Sequence, residues 1–149
     1  MESYTDERIL RQPIGYWASM TGRSAVTFIR ATLERHGLTQ PQWWALNYIA
    51  AHPEGVTADE VVQYHRGFVD TDDAILPDTL ALVATGLLTE IDGALIVSPT
   101  GQQRREETWP DVHAALATIR AGVSDAEFIT TIRTLQKMIE NIGDNAWHA

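Results

Sequence analysis

Five aromatic side chains are the best candidates for binding a small organic molecule: Tyr16, Trp17, Trp43, Trp44 and Tyr48. Aromatic walls with a few polar groups suit a planar ligand, although large aromatic residues also fill protein cores. Neighbouring residues on a helix point about 100° apart, so Trp43 and Trp44 cannot both face the same core. One of the two is therefore expected at a pocket or an interface.

The titratable residues give weaker grounds for catalysis. Glu34 with His36, or Asp111 with His113, could act as an acid and a base if the pair lined a pocket. A spacing of two residues on a helix separates the partners by about 200°, so they do not face each other. The sequence also has no glycine-rich phosphate loop and no nucleophile elbow. We expect a protein that is not an enzyme, with an enzyme built in a ligand cleft as the alternative.

Metal and cofactor sites are not predicted. No two histidines are spaced four residues apart as in a zinc helix, and the absence of cysteine excludes thiolate ligands and disulfides. The run from Asp70 to Asp73 resembles the start of a calcium loop. It fails because Ala74 and Ala81 stand where the next ligand and the closing acid belong.

Charge is distributed unevenly along the sequence. Between Arg66 and Arg104 there is no lysine or arginine, while six acidic residues fall in that stretch. The whole chain of 149 residues has a formal charge of −9, which favours solubility and disfavours general adhesion to nucleic acids or membranes. The acidic start, from Met1 to Glu7, is not typical of a signal peptide, and no apolar run approaches the roughly 20 residues of a membrane span. We expect a soluble, cytoplasmic, single-domain protein that does not bind membranes.

Several helices are predicted from apolar spacing and from their capping residues. A helix over 14–36 is flanked by Pro13 and Gly37. Capping boxes, in which a hydroxyl residue is followed three positions later by Gln or Glu, begin at Thr39, Thr57 and Ser124. The helix after Ser124 has apolar residues spaced by four and three, which indicates a seam that buries against another helix.

A tight hairpin is the strongest local signal. Leu88–Ile91 and Ala94–Val97 flank Asp92-Gly93, a dipeptide that favours a two-residue turn. The helix before the hairpin is predicted to begin at Asp72 or Asp73, or to have Pro77 in its first turn. The helix after it starts at Ser98-Pro99 and is expected to bend at Pro110.

These elements predict a mainly α fold, a winged helix-turn-helix with a two-stranded β wing and a helical dimerisation lobe. The winged-helix part, here called the head, is assigned to 39–98. The helical lobe is assigned to 13–36 and 101–142. A lone hairpin is only marginally stable, so the wing must pack against the helices beside it. Two-fold pairing of the lobe would hold two heads at a spacing suited to adjacent major grooves.

The sequence resembles the MarR family of winged-helix regulators. The resemblance is carried by four stretches: 37–46, 55–62, 86–88 and 97–101. The first begins with Gly37-Leu38-Thr39-Gln40, the second begins with Gly55-Val56-Thr57-Ala58, and the last ends with Ser98-Pro99-Thr100-Gly101. An actinobacterial branch of that family is similar at 13–17 and 135–141. The resemblance implies a homodimeric transcription regulator, and many members release DNA when a small aromatic or anionic molecule binds between the head and the lobe.

The sequence departs from the family pattern where DNA would be contacted. The family wing carries arginines, whereas Thr89–Ala94 carries none, and the recognition helix around 75–82 offers Thr79 and an acid. The predicted contacts to double-stranded DNA are therefore Arg66, Thr71, Thr79, Arg104 and Arg105. A repurposed winged-helix dimer that binds a small molecule or a protein, and not DNA, is the alternative.

Overall fold

The computed structural model describes residues 4–67 and 72–144. Its order of elements is the predicted one, preceded by a single turn of helix that the sequence did not indicate. The elements are α1 (Asp6–Ile9), α2 (Ile14–Glu34), α3 (Gln40–Ala50), α4 (Ala58–Tyr64), α5 (Asp72–Ala84), β1 (Leu88–Ile91), β2 (Ala94–Val97), α6 (Pro99–Ile119) and α7 (Asp125–Asn141).

All three predicted capping boxes form. The side chains of Thr39, Thr57 and Ser124 each accept a hydrogen bond from the backbone N–H three residues on, and the Gln or Glu at that position bonds back to the capping residue. Each box satisfies backbone donors that the first turn of a helix leaves open. The starts of α3, α4 and α7 are therefore determined by local sequence.

Pro77 and Pro110 both lie inside helices. α5 begins at Asp72, which places Pro77 in its second turn, and α6 runs from Pro99 to Ile119 with Pro110 inside it. The helix continues through Pro110, and the bend expected there stays a prediction. A proline removes only one hydrogen bond of the helical ladder. α6 packs against both α2 and α3, and this packing offsets the missing hydrogen bond.

The wing has the predicted register. β1 and β2 pair antiparallel with Leu88 opposite Val97 and Ile91 opposite Ala94. Asp92 and Gly93 turn the chain with φ of 51° and 83°, which is the left-handed region that a tight hairpin requires. Val56 and Leu95 exchange two backbone hydrogen bonds of 3.2 and 2.7 Å, which attach the hairpin to the loop before α4.

The core lies inside the head and extends to α6. Its fully buried residues come from the end of α2, from α3, α4 and α5, and from the wing, and include Leu33, Leu46, Ile49, Val61, Ile75, Leu82 and Leu95. α5 packs on α3 and α4, and β2 packs on α3. The head is thus one packed unit that α6 connects to α2.

The helical lobe is only partly covered. α2 packs along α6, but α7 has no buried residue, and its apolar side chains Phe128, Ile129, Ile132 and Met138 are between 40% and 46% exposed. The guanidinium of Arg120 holds the corner between α6 and α7, where it bonds to Asp125 at 2.6 Å and stacks on Phe128. Among the described residues, none of the helices is both long enough and apolar enough to cross a membrane.

Candidate functional site

A groove of about 510 Å³ lies between α3 and α4, and we call it the head groove. Its lining is Trp44, Asn47, Tyr48, Ala51, His52, Tyr64 and His65. The capping box at Thr57 sets where α4 begins, and α4 then places Tyr64 and His65 against α3. The volume is in the range that small-molecule sites occupy.

The rings of the head groove pack in two layers. Tyr48 stacks on Tyr64 with ring centres 4.2 Å apart, and Trp44 lies parallel to His65 at 6.3 Å with an angle of 9° between the planes. The ring of Tyr48 also meets the ring of His52 at 4.5 Å. These contacts fix the orientation of the rings that line the groove.

Both histidines of the head groove are held by backbone carbonyls of the preceding turn. His52 Nδ1 lies 2.7 Å from the Tyr48 carbonyl oxygen, and His65 Nδ1 lies 2.7 Å from that of Val61. A carbonyl can only accept, so each Nδ1 carries the proton and the neutral ring has Nε2 as its acceptor. Burial lowers the pKa of His65, which favours its neutral form.

Trp43 and Trp44 separate as their helical spacing requires. Trp43 is only 6% exposed and packs in the core against Trp109 of α6, with ring centres 5.8 Å apart. Trp44 lines the head groove. Trp43 therefore links the head to α6 and is not exposed to a ligand.

Tyr16 and Trp17 line a different groove. This lobe groove, of about 760 Å³, is formed by α2 with Thr118 and Ile119 of α6 and includes Phe28. The structure therefore does not bring the five predicted aromatic residues into one cleft. Two lie in the head groove, two in the lobe groove and one in the core.

Arg104 and Arg105 are engaged within the protein. Arg104 donates to the backbone carbonyl of His36 at 2.6 Å. Arg105 donates through Nε to Asn47 Oδ1 at 2.8 Å and stacks over Trp109. Both arginines thus attach α6 to neighbouring segments, and each keeps further guanidinium N–H groups beyond the one used in these bonds.

Thr79 is the predicted DNA contact that the fold contradicts. Its side chain is fully buried, and its hydroxyl donates to the Ile75 carbonyl at 2.7 Å. It faces the core because residues 75, 79 and 82 lie on the inner side of α5. Arg66 is exposed beyond the end of α4, and Thr71 lies outside the described residues.

The outer side of α5 is apolar, and the wing carries exposed acids. Leu76 and Leu80, one helical turn apart, are 42% and 50% exposed. On the wing, Ile91 is 54% exposed, and Glu90 and Asp92 are exposed beside it. A reader of DNA uses cations and hydroxyls on such a surface. Among the described residues of the head, 39–67 and 72–98, Arg66 is the one lysine or arginine.

The acids and histidines considered for catalysis do not pair with their neighbours in the sequence. His36 Nε2 lies 2.9 Å from Asp111 Oδ2, which joins the end of α2 to α6, and Arg35 approaches the same carboxylate at 3.8 Å. Neither Glu34 nor His113 takes part in this ion pair. In the described part of the chain, no cluster of three or more histidine, aspartate or glutamate residues could hold a metal ion.

Sequence reasoning missed five residues of the head groove, namely Asn47, Ala51, His52, Tyr64 and His65. The spacing of Trp44, Tyr48 and Ala51 by four and three residues places them on one face of α3 and was a usable signal. The contribution of α4 was not visible, because its packing angle against α3 depends on the whole core. The aromatic character of Tyr64 and His65 alone does not distinguish a groove from a core.

Comparison with solved structures finds similar folds, while no protein-family profile and no curated protein matches the chain. A MarR family protein from Mycobacterium tuberculosis in complex with DNA is 22% identical, with a TM-score of 0.65 over 85% of this chain and 98% of that one. The same protein in complex with salicylic acid gives a TM-score of 0.60 at 22% identity, over 89% of this chain and 100% of that one. A MarR family regulator from Rhodococcus is 20% identical, with a TM-score of 0.68 over 91% and 96% of the two chains. These likenesses establish the winged-helix fold, and the actinobacterial branch stays a prediction.

Proposed function

We propose that the protein is a homodimeric transcription regulator of the MarR type, which binds a small aromatic molecule in the head groove and operator DNA through its head. One observation carries the proposal: a preformed winged-helix head is joined through α6 to a lobe whose apolar face is uncovered. This is the architecture of the solved MarR family proteins, one of which is in complex with DNA.

The uncovered face supports the dimer. Phe128 and Ile132 of α7 are exposed, as are Ile142 just after it and Ile14 and Phe28 of α2. A soluble monomer rarely leaves so many large apolar side chains in water on one lobe. A second copy related by a two-fold axis would present the same face and cover it. The lobe groove at Tyr16 and Trp17 belongs to this region, and we expect the partner to fill it.

The contacts between the head groove and α6 support a response to a ligand. Asn47 lines the groove and accepts a hydrogen bond from Arg105 of α6, and the neighbouring Trp43 packs on Trp109. A ligand that displaces Asn47 therefore changes how the head sits on α6, and with it the spacing of the two heads. Coupling of this kind amounts to about 1–3 kcal/mol, or roughly 5- to 150-fold in affinity.

Contacts to DNA would be few in this proposal. Arg66 is exposed at the end of α4, whereas Arg104 and Arg105 are bound to the protein itself. Backbone N–H groups at helix starts can also hold phosphates. We therefore expect a shallow salt dependence: about one phosphate-bound arginine per head, two per dimer, gives a logarithmic slope near −2.

The experiment is fluorescence anisotropy of the protein on its own upstream intergenic DNA, titrated at about 50 and 150 mM salt. Wild type should bind with submicromolar affinity in the presence of competitor DNA. Arg66→Ala should weaken binding and flatten the salt slope. Arg133→Ala, which removes one exposed cation from α7, is the control and should bind as wild type does. Equal binding by the Arg66 and Arg133 variants would refute the contact assigned to Arg66.

A second candidate is a winged-helix dimer that binds a small molecule or a protein and no DNA. The exposed Leu76, Leu80 and Ile91, with acids beside them, favour it because a carboxylate near a phosphate is repulsive within a screening length of about 8 Å. Wild-type binding no tighter than the nonspecific range, roughly 10⁻⁴–10⁻⁶ M, on all tested fragments would favour this candidate over the first.

A further inference from the structure

We infer that the head groove selects aromatic ligands that carry a positive charge, in preference to aromatic carboxylates of the same size. The inference rests on the proposed ligand-binding function and names its chemical class. It differs from what the solved neighbours suggest, because one of them is in complex with salicylic acid.

The faces of the aromatic rings are the first ground. Trp44, Tyr48 and Tyr64 all line the groove, and their ring faces carry partial negative charge. A cation within about 6 Å of such a face is attracted, most strongly by tryptophan. An anion placed over the same rings is repelled.

The histidine tautomers are the second ground. Because His52 Nδ1–H donates a hydrogen bond to the Tyr48 carbonyl, the neutral ring offers Nε2 as an acceptor. His65 has the same tautomer, but it is only 2% exposed and offers a ligand no acceptor. Acceptors favour a ligand with N–H donors or a positive charge, and they offer nothing to a carboxylate.

The nearest charges are the third ground. Among the described residues that line the head groove there is no lysine or arginine. Glu60 lies at its α4 side, where its charge adds to the effect of burial in raising the pKa of Tyr48. Arg105 lies at the α6 side, but its guanidinium is already bound to Asn47 and stacked on Trp109. The described lining therefore has no cation for a carboxylate, and the negative charge of Glu60, whose carboxylate also closes the capping box at Thr57, favours a cation nearby.

The test compares three bicyclic probes of similar shape: N-methylquinolinium as the cation, naphthalene as the neutral form and 2-naphthoate as the anion. The protein is labelled with 5-fluorotryptophan, and ¹⁹F NMR follows its tryptophan resonances, with that of Trp44 assigned through Trp44→Phe. We expect N-methylquinolinium to shift the Trp44 resonance and to bind at least about tenfold more tightly than 2-naphthoate.

Glu60→Gln tests the role of charge without removing the helix cap, because glutamine also closes a capping box. We expect it to weaken N-methylquinolinium binding about three- to tenfold and to leave naphthalene unchanged. Glu127→Gln is the matched control, since Glu127 has the same capping role on α7. It should bind all three probes as wild type does, and thermal melts verify that both variants fold.

Three results overturn the inference. They are binding of 2-naphthoate at Trp44 as tightly as the cation, a shift at another tryptophan in place of Trp44, and no binding of the cation at millimolar concentration. None of them alters the DNA titration, which tests the regulator proposal by itself. A groove that prefers 2-naphthoate would retain the ligand-binding function and refute only the charge preference.

Discussion

His65 connects the stability of the head to pH at the scale of a single residue. The residue is 2% exposed. Its ring lies parallel to that of Trp44 and edge-on to that of Tyr64. Burial lowers its pKa below the value of about 6.5 that an exposed histidine has. Below that pH the unfolded chain takes up a proton that the folded protein does not, so the free energy of unfolding falls as the pH falls. Above about pH 6.5 the histidine is neutral in both the folded and the unfolded protein, so it no longer changes the free energy of unfolding.

Urea unfolding at pH 7.5 and pH 5.5, at one protein concentration, measures this effect. Wild type should lose stability between the two values, by at most about 1.4 kcal/mol per pH unit for one proton. His65→Gln removes the titrating ring and should lose less over the same interval. Each protein is compared with itself, so any fixed cost of the substitution cancels. An equal loss in both proteins would mean that other groups cause the pH dependence.

At the scale of elements, α6 approaches the start of the wing so closely that one position requires glycine. A Cβ built on Gly101 would stand 2.0 Å from the Leu87 carbonyl oxygen. The same corner is held by Ser98, whose hydroxyl donates to the Gly86 carbonyl at 2.6 Å and accepts from the Gly101 N–H. Because the obstacle is backbone, it cannot swing aside as a side chain can.

Gly101→Ala should therefore lower the free energy of unfolding by about 2 kcal/mol or more, since α6 must move away from the wing. Gly22→Ala is the matched control. Gly22 lies in α2 with nothing within 4 Å of its built Cβ, so alanine there should stabilise the protein by about 0.5–1 kcal/mol. Denaturant unfolding of both variants measures the difference. A neutral Gly101→Ala would contradict the close approach of α6 to Leu87.

The same elements indicate which parts of this fold are readable from sequence. The capping boxes and Asp92-Gly93 act within a few residues, and they predicted the starts of three helices and the wing register. Which face of a helix is buried depends on the elements that pack against it. The local pattern therefore predicted Thr79 at the surface, although it lies in the core. Arg104 and Arg105 likewise find partners in distant segments, at His36 and Asn47, which no local pattern indicates.

For the whole molecule, charge is divided between head and lobe. The sequence from Thr57 to Ser98 contains eight acidic residues and one arginine, whereas most other arginines lie in or next to α1, α2, α6 and α7. A head with this charge repels DNA within the screening length of about 8 Å. In the proposed dimer the apolar lobe, and not the charged heads, would supply the free energy of association.

Ile132 and Thr134 of α7 test that dimer. Ile132 is 41% exposed in the apolar seam, whereas Thr134, two residues on, lies about 200° around the helix on its polar side. Ile132→Glu would bury a charge twice in a symmetric interface and should raise the dimer dissociation constant by more than about tenfold. Thr134→Glu adds the same charge on the opposite side and should remain dimeric. Sedimentation equilibrium over a range of concentrations measures both constants. Equal dimer dissociation constants for the Ile132 and Thr134 variants would place the interface elsewhere on the lobe. A monomeric wild type would refute the mechanism in which a ligand changes the spacing of two heads.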